Sequence, residues 1–486
     1  MNRLTPIRHQ PPPGEPPGHD PTFSGLPDAH TLREVIDWLA GGLLERDDHS
    51  RVLLLALLSG EHVLLIGPPG TAKSALARRV HQLVGGRWFE RLLTRFTVPE
   101  ELFGPLSLSA LDEGRYERET DAYLPTADVA FLDEVFKANS AILNALLGIL
   151  NERVFDQGAR RVAVPLACLV AASNEWPDDD GMRAFQDRFL FRCDVSPVAD
   201  ASFHALLTLS DRPDEPPAWR LGREVAASID RSVGGISLSD PLIEGLVALR
   251  TSLRASSVAV SDRRWVRAVR VLRVAALLEG RSQAGVEHLP ILRWMLPATP
   301  AQVTVFDDWV LHWLGVDRTL DPVWLDRAAQ AFAQQLELEQ SAGELAFDDS
   351  GKLALARQLA GADSSALGEG APRLSAFSRA RRYSAAHIGA RVAQVSAVIE
   401  QVDHWLQGAD RHARDLAIGL SAGVWLSPTF ADRAVETFHD SVARVRAARE
   451  RLIVARDAFC ALPVNEAVAG PGGDLIPDPV DIGQST

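Results

Sequence analysis

From Thr31 to Leu58 apolar residues recur at helical spacing, through Leu32, Val35, Ile36 and Leu39 and then Val52, Leu55 and Ala56. Gly41 and Gly42 break the pattern, which therefore predicts two helices. His62 to Ile66 is a short apolar run closed by Gly67, Pro68, Pro69 and Gly70, and helical spacing resumes from Lys73 to Leu83. That order reads as strand, loop, helix. Uniformly apolar runs at Val129 to Leu132 and Leu166 to Ala172 are too short for surface helices and suit central strands of a parallel sheet. Ala138 to Leu150 between them is helical, and Val154 to Val164, alternating around Asp156, Gln157 and Gly158, predicts a hairpin. The resulting α/β layer, roughly 170 residues long, ends near Val195.

Beyond it the pattern is helical. Residues 201–297 carry Pro216, Pro217, Gly234 and Gly235 as breakers, and long amphipathic stretches follow at Pro322 to Leu336, Ala385 to Leu406 and Phe430 to Phe459. The expected division is a disordered Pro-rich tail at 1–24, an α/β core at 25–200, an all-α domain at 201–298 and a helical region at 299–486 with a short irregular insert near 339–373.

Composition narrows the class. The 486 residues are 46% hydrophobic and 23% charged, as in an ordinary soluble globular protein, and no apolar run approaches the length of a membrane span. Cys168, Cys193 and Cys460 follow no disulfide or zinc spacing, and the first residues lack a secretory signal, so a cytoplasmic location is expected. A formal charge of −14 argues against a surface built for nucleic-acid phosphates.

The chemistry lies in the core. Gly67, Pro68, Pro69, Gly70, Thr71, Ala72, Lys73 and Ser74 follow an apolar strand and open a helix, the setting of a phosphate-binding loop. Small residues let backbone amides wrap phosphates, Lys73 reaches the β- and γ-phosphates, and Ser74 ligates Mg²⁺. Ala72 stands where the last glycine of such loops falls, and right-handed φ/ψ at a helix start is expected to suffice there. The strand Val129 to Leu132 ends in Asp133, a Mg²⁺ holder, and Glu134, a base for the attacking water. The strand Leu166 to Ala172 ends in Ser173 and Asn174, whose amide suits a γ-phosphate and water contact, although Asn also serves as a helix cap. Arg188 is a candidate to reach a neighbouring subunit's γ-phosphate, with Arg183 and Arg192 as competitors and an ion pair with Asp187 as the alternative role. Arg263 opens an amphipathic helix that can fold over the nucleotide, with Arg264 as its alternative.

Together these elements resemble the AAA+ ATPases, and within them the MoxR branch and its regulatory ATPase variant A group. Besides the loop and the Asp-Glu strand, the resemblance rests on Leu93 to Pro105, Gly114 to Arg118, Ile149 to Arg153, Val170 to Glu175, Asp187-Arg188, Ser261 to Trp265 and Glu279 to Ser282. It implies an αβα nucleotide-binding core, an all-α lid, a homo-hexameric ring with ATP and Mg²⁺ at subunit boundaries, Asn174 as first sensor, Arg188 as arginine finger and Arg263 as second sensor. It further implies a chaperone-like machine acting on a protein client with a von Willebrand factor A domain partner. The variant A group also carries a small β-rich domain that binds a lysine decarboxylase. Residues 339–373 are too short and too poor in alternating strands for that domain, so this partner is not expected. Two other functions remain open: a nucleic-acid motor or loader using a ring interior with Arg115, Arg118 and Arg160, and a nucleotide-gated scaffold without turnover.

Overall fold

The computed structural model describes residues 25–176, 182, 185–209, 216–315, 322–341, 343–344, 379–380, 383–464 and 477–482. The expected 1–24 tail, Arg183 and nearly all of the 339–373 insert lie outside the described residues.

Helices α1 (Ala29–Ala40) and α2 (Asp47–Leu58) precede the sheet, and the Asp28 carboxylate caps α1 by accepting from Thr31 N at 2.8 Å. Five strands form one all-parallel sheet in the order β2 (Trp88–Leu92), β3 (Val129–Asp133), β6 (Cys168–Ser173), β1 (Val63–Ile66), β7 (Phe191–Asp194). Because helices cover both faces, the central strands β1, β3 and β6 are almost entirely buried and read as continuous apolar runs. The outer strands β2 and β7 escape the hydrophobic pattern, since Glu90, Arg91, Arg192 and Asp194 interrupt them.

Helix α3 (Lys73–Val84) follows β1, and α4 (Ser140–Glu152) follows β3 under an Asn139 cap. α4 buries Ile142, Leu146 and Ile149 against Leu132, Leu169 and Ala171 of the sheet. The expected hairpin is present as β4 (Val154–Gln157) and β5 (Arg160–Ala163), paired antiparallel. Gly158 turns it at φ +61°, with Tyr116 O so near that a Cβ there would lie 2.2 Å from it. Helices Arg223–Ser232, Asp240–Ala255 and Asp262–Leu278 form the all-α part, the last two capped by Ser239 and Ser261.

The chain divides into two compact units: residues 1–313 with 417–433, and residues 314–416 with 434–486. This departs from the single block expected at 299–486. The reason lies at the turn between two long helices, Ala385–Ala422 and Pro428–Cys460. There Trp425 is buried with its indole N–H donating to Ala275 O at 3.2 Å, and Val424 N donates to the Glu279 carboxylate at 2.9 Å. The second unit packs the helix Pro322–Ser341 with the two long helices around Phe332, Val402, Trp405, Phe438 and Phe459. Glu339 is buried there; burial raises its carboxyl pKa, but bonds from Gln335, His387 and Arg391 outweigh that and hold it below the usual carboxylate range.

No helix among the described residues is long and apolar enough to cross a membrane.

Candidate nucleotide site

Parallel strands place every candidate of the phosphate site at one edge, because the loop residues all follow the carboxyl ends of β1, β3 and β6. The loop is pinned on both sides: Gly67 N donates to Ser173 O at 2.9 Å, and Val195 N donates to Ile66 O at 2.6 Å. Gly67 is required by this approach, since a Cβ would lie 2.1 Å from Val195 O. Pro68, Pro69 and Gly70 are exposed, Gly70 has φ +82°, and the Thr71 hydroxyl donates to Pro68 O at 2.9 Å.

Ala72 corrects the expectation of a right-handed helix start. It adopts the left-handed conformation, φ 67° and ψ 21°, as the residue that caps α3. The position thus makes the demand that glycine meets freely, and alanine bears a steric cost. The backbone bonds of α3 begin with Leu76 N to Ala72 O at 3.1 Å, leaving the amides of Lys73, Ser74 and Ala75 without an acceptor among the described residues. These free amides and the left-handed residue before them form a concavity suited to phosphate oxygens.

Lys73 is buried, and its ammonium donates to Gly67 O at 2.6 Å, Pro68 O at 2.8 Å and Asn174 Oδ1 at 3.4 Å. Burial lowers its pKa, against the pull of the Asp133 and Glu134 carboxylates. Asn174 links the two halves of the site: its Oδ1 faces Lys73 and its Nδ2 donates to Glu134 Oε1. Glu134 is buried at the end of β3 in a left-handed backbone conformation, φ 54°, and its N–H donates to Asp133 Oδ1 at 3.0 Å. Ser74 is exposed on the first turn of α3 and Asp133 is half-buried, so a hydroxyl and a carboxylate, both hard oxygen donors, are available at this edge for Mg²⁺.

Two features were not legible in the sequence. Lys137 Nζ lies 3.2 Å from Glu134 Oε1; the rarity of lysine in the chain and the spacing of three residues were its only signals. A cavity of about 790 Å³ adjoins the loop where Arg46 donates to Thr71 O, and is lined among others by Arg51, Trp176, Arg192, Arg293 and Trp294. Residues so far apart in the chain leave no local pattern.

The arginines fall elsewhere. Arg263 does not cover this chain's own loop; it donates to Asn151 Oδ1 at 2.9 Å and lines a cavity with Gly60, Glu61 and His62, which precede β1. His62 and Gly67 are separated by a full extended strand, about 16 Å at ~3.3 Å per residue, so Arg263 lies at the opposite edge of the sheet. The all-α part packs there because Arg267 pairs with Glu61 and donates to Arg188 O at 3.2 Å. Arg188 belongs to the same edge, preceding β7, and its buried Nε has no hydrogen-bond partner among the described residues. Its expected alternative partner, Asp187, is taken by Arg264. Arg264 is itself buried, which pushes its pKa down to about 10 against the opposing pull of Asp187, so it is unavailable to a nucleotide. Arg192 is buried within β7, and desolvation, with the Arg264 cation, holds it well below the usual arginine range against the pull of Asp187.

Comparison with known proteins gives a consistent set of likenesses. Residues 30–221 match a family model described as a MoxR domain in the MoxR-vWA-beta-propeller ternary systems, and residues 241–310 match an AAA lid domain. Two uncharacterized proteins of Methanocaldococcus jannaschii are each 40% identical over 54% of this chain, covering 69% and 70% of their own lengths. The chaperone MoxR1 of Mycobacterium tuberculosis is 30% identical over 35% of this chain and 45% of its own. A solved protein of Cytophaga hutchinsonii aligns with a TM-score of 0.45 at 18% identity, covering 55% of this chain and 87% of that one.

Proposed function

The chain belongs to the MoxR family of AAA+ ATPases, and from that premise we propose that it hydrolyses ATP to drive a chaperone-like remodelling of a protein client. The observation that carries this is the Asn174 side chain, which touches both the phosphate-loop lysine and Glu134. The loop amides and Lys73 bind the phosphates, and the cavity beside Thr71, with Trp176 and Trp294, takes the base and ribose. Mg²⁺ would be held by Ser74 and Asp133 and would neutralise charge on the phosphate oxygens. The water oxygen bonds to the γ-phosphorus as the bond to the β–γ bridging oxygen breaks; Glu134 receives the water proton and ADP leaves with the electron pair.

Arg188 and Arg263 stand at the far edge of the sheet from the loop, so they are assigned to the nucleotide of a neighbouring subunit, as arginine finger and second sensor in a homo-hexameric ring. An arginine finger is worth ~10³ to 10⁵ in rate, so turnover depends on assembly. Core 25–200 and lid 201–298 are the proposed working parts, with the lid displaced toward the amino edge of the sheet. A von Willebrand factor A domain protein is the proposed partner, because the matching family model is described for systems that contain one, together with a β-propeller. Placement within the regulatory ATPase variant A group and a cytoplasmic location belong to the same proposal.

A nucleic-acid motor is disfavoured by the ion pairs of two of its three candidate arginines: Arg115 pairs with Glu113 and Glu117, and Arg118 with Glu100. The ATP hydrolysis rate per subunit, measured against protein concentration with Glu134→Gln as blank, tests the leading proposal. A specific rate that climbs and then levels off supports it. A rate that stays flat while the protein is monomeric removes the trans arginines, and no rate above the blank leaves the scaffold.

A further inference from the structure

Glu134 is held by two groups, and only Asn174 has a role in the proposal above. The second is Lys137. After the left-handed Glu134 the chain makes a single 3-10 turn, Val135–Lys137, closed by Lys137 N donating to Glu134 O at 2.9 Å. In such a turn side chains three residues apart eclipse one another, which returns Lys137 over Glu134. Its ammonium stands 3.2 Å from Glu134 Oε1, the Lys137 side chain being 62% exposed and that of Glu134 10%. Asn174 Nδ2 donates to the same oxygen. No hydrogen bond reaches Oε2 among the described residues.

We infer that Lys137 is a positioning residue for hydrolysis: with Asn174 it anchors Glu134 Oε1, which leaves Oε2 as the free acceptor for the proton of the attacking water. Residue usage agrees. The chain has 50 Lys plus Arg, of which only Lys73, Lys137 and Lys352 are lysine. A compact ammonium sits on one carboxylate oxygen, whereas a guanidinium fork tends to engage both, so lysine is the cation that leaves Oε2 open. The inference rests on the ATPase proposal and names a residue that neither the motif nor the family likeness assigns.

The test is steady-state ATP hydrolysis by the assembled full-length protein, comparing wild type, Lys137→Met and Lys137→Arg, with Glu134→Gln as blank and equilibrium binding of a fluorescent ATP analogue alongside. Methionine keeps the length of the stem and removes the charge at an exposed position. Lys137→Met is expected to lower kcat about tenfold, a fraction of the ~10² to 10⁴ that a positioned base supplies, with KM and analogue affinity within about twofold of wild type. Lys137→Arg is expected to recover part of kcat by restoring the charge. Unchanged kcat in Lys137→Met overturns the inference, and so does a parallel loss of kcat and analogue binding, which marks a structural role. A wild type no faster than Glu134→Gln fails at the earlier step and overturns the ATPase proposal itself.

Discussion

Arg264 donates to the Asp187 carboxylate at 2.9 Å and, with the same guanidinium, to the carbonyls of Phe189 and Leu190, each at 2.7 Å. One buried side chain of the lid thus fixes the segment that carries Arg188. Arg264→Lys keeps a charge but loses the fork, leaving carbonyls without donors. Leaving the Phe189 and Leu190 carbonyls without donors costs about 1 to 3 kcal/mol each, so the melting temperature is expected to fall by roughly 10 °C at ~2 to 4 °C per kcal/mol. A thermal scan within about 2 °C of wild type would contradict this account.

Ala72 bears the steric cost of its left-handed backbone, about 1 to 2 kcal/mol. Glycine relieves it but frees the unfolded chain by about 0.4 to 1 kcal/mol, so Ala72→Gly is expected to be neutral or stabilising by up to about 1.6 kcal/mol, with ATP affinity preserved. Valine, whose branched side chain crowds φ > 0, is expected to abolish binding. Denaturant midpoints and nucleotide titration of the two variants check the pair.

Gly67 tolerates no side chain, because a Cβ would lie 2.1 Å from Val195 O. Gly67→Ala is expected to separate the loop from β7 and lose at least tenfold in nucleotide affinity, while Gly70→Ala, with nothing near its Cβ, pays only the φ cost. Equal affinities in the two variants would remove the close approach as the reason for glycine.

Arg263 donates to Asn151, far from its own loop. Arg263→Ala is expected to leave ATP affinity of the dilute subunit unchanged and to reduce hydrolysis at high protein concentration by at least tenfold, a modest share of the ~10³ to 10⁵ worth of a trans arginine. Lost affinity in the dilute subunit would place Arg263 at its own nucleotide.

His62 is buried with Nδ1 accepting from Leu169 N at 3.0 Å, and desolvation, helped by the Arg153 and Arg267 cations, holds its pKa well below the ordinary value. His49 is depressed in the same direction, chiefly by burial. Below about pH 6.5 the unfolded imidazoles take up protons that the folded ones refuse, so stability is full above that pH and is lost as pH falls. At pH 5.5 a histidine that stays wholly unprotonated in the folded chain loses at most about 1.4 kcal/mol, and His62, the more strongly depressed of the two, comes nearer that limit than His49. Stability in melting curves is expected to fall from pH 7.5 to 5.5, and His62→Gln to flatten that fall. An identical slope in the variant would exclude His62 as a source.

The places of the loop, Asp133 and Glu134 after their strands, and the three central strands themselves, were legible because short, uniformly apolar runs mark buried strands and the residues that end them. The left-handed state of Ala72 was not, since φ leaves no mark on a small side chain. The position of Arg263 was not legible either: it depends on Arg267 meeting Glu61 across some two hundred residues, a tertiary fact with no local period. Lys137 was visible as a rare lysine three residues past Glu134, but only the 3-10 turn shows that the two meet.

The turn at 417–433 has a practical consequence for anyone dissecting this protein. A chain cut after Trp313 retains the phosphate loop and the lid, yet it discards Trp425 and Val424, uncovering the Ala275 carbonyl and removing a donor from Glu279. The unit that holds the candidate nucleotide site is therefore expected to need residues 417–433 as well, supplied as a separate segment or spliced on through a short linker.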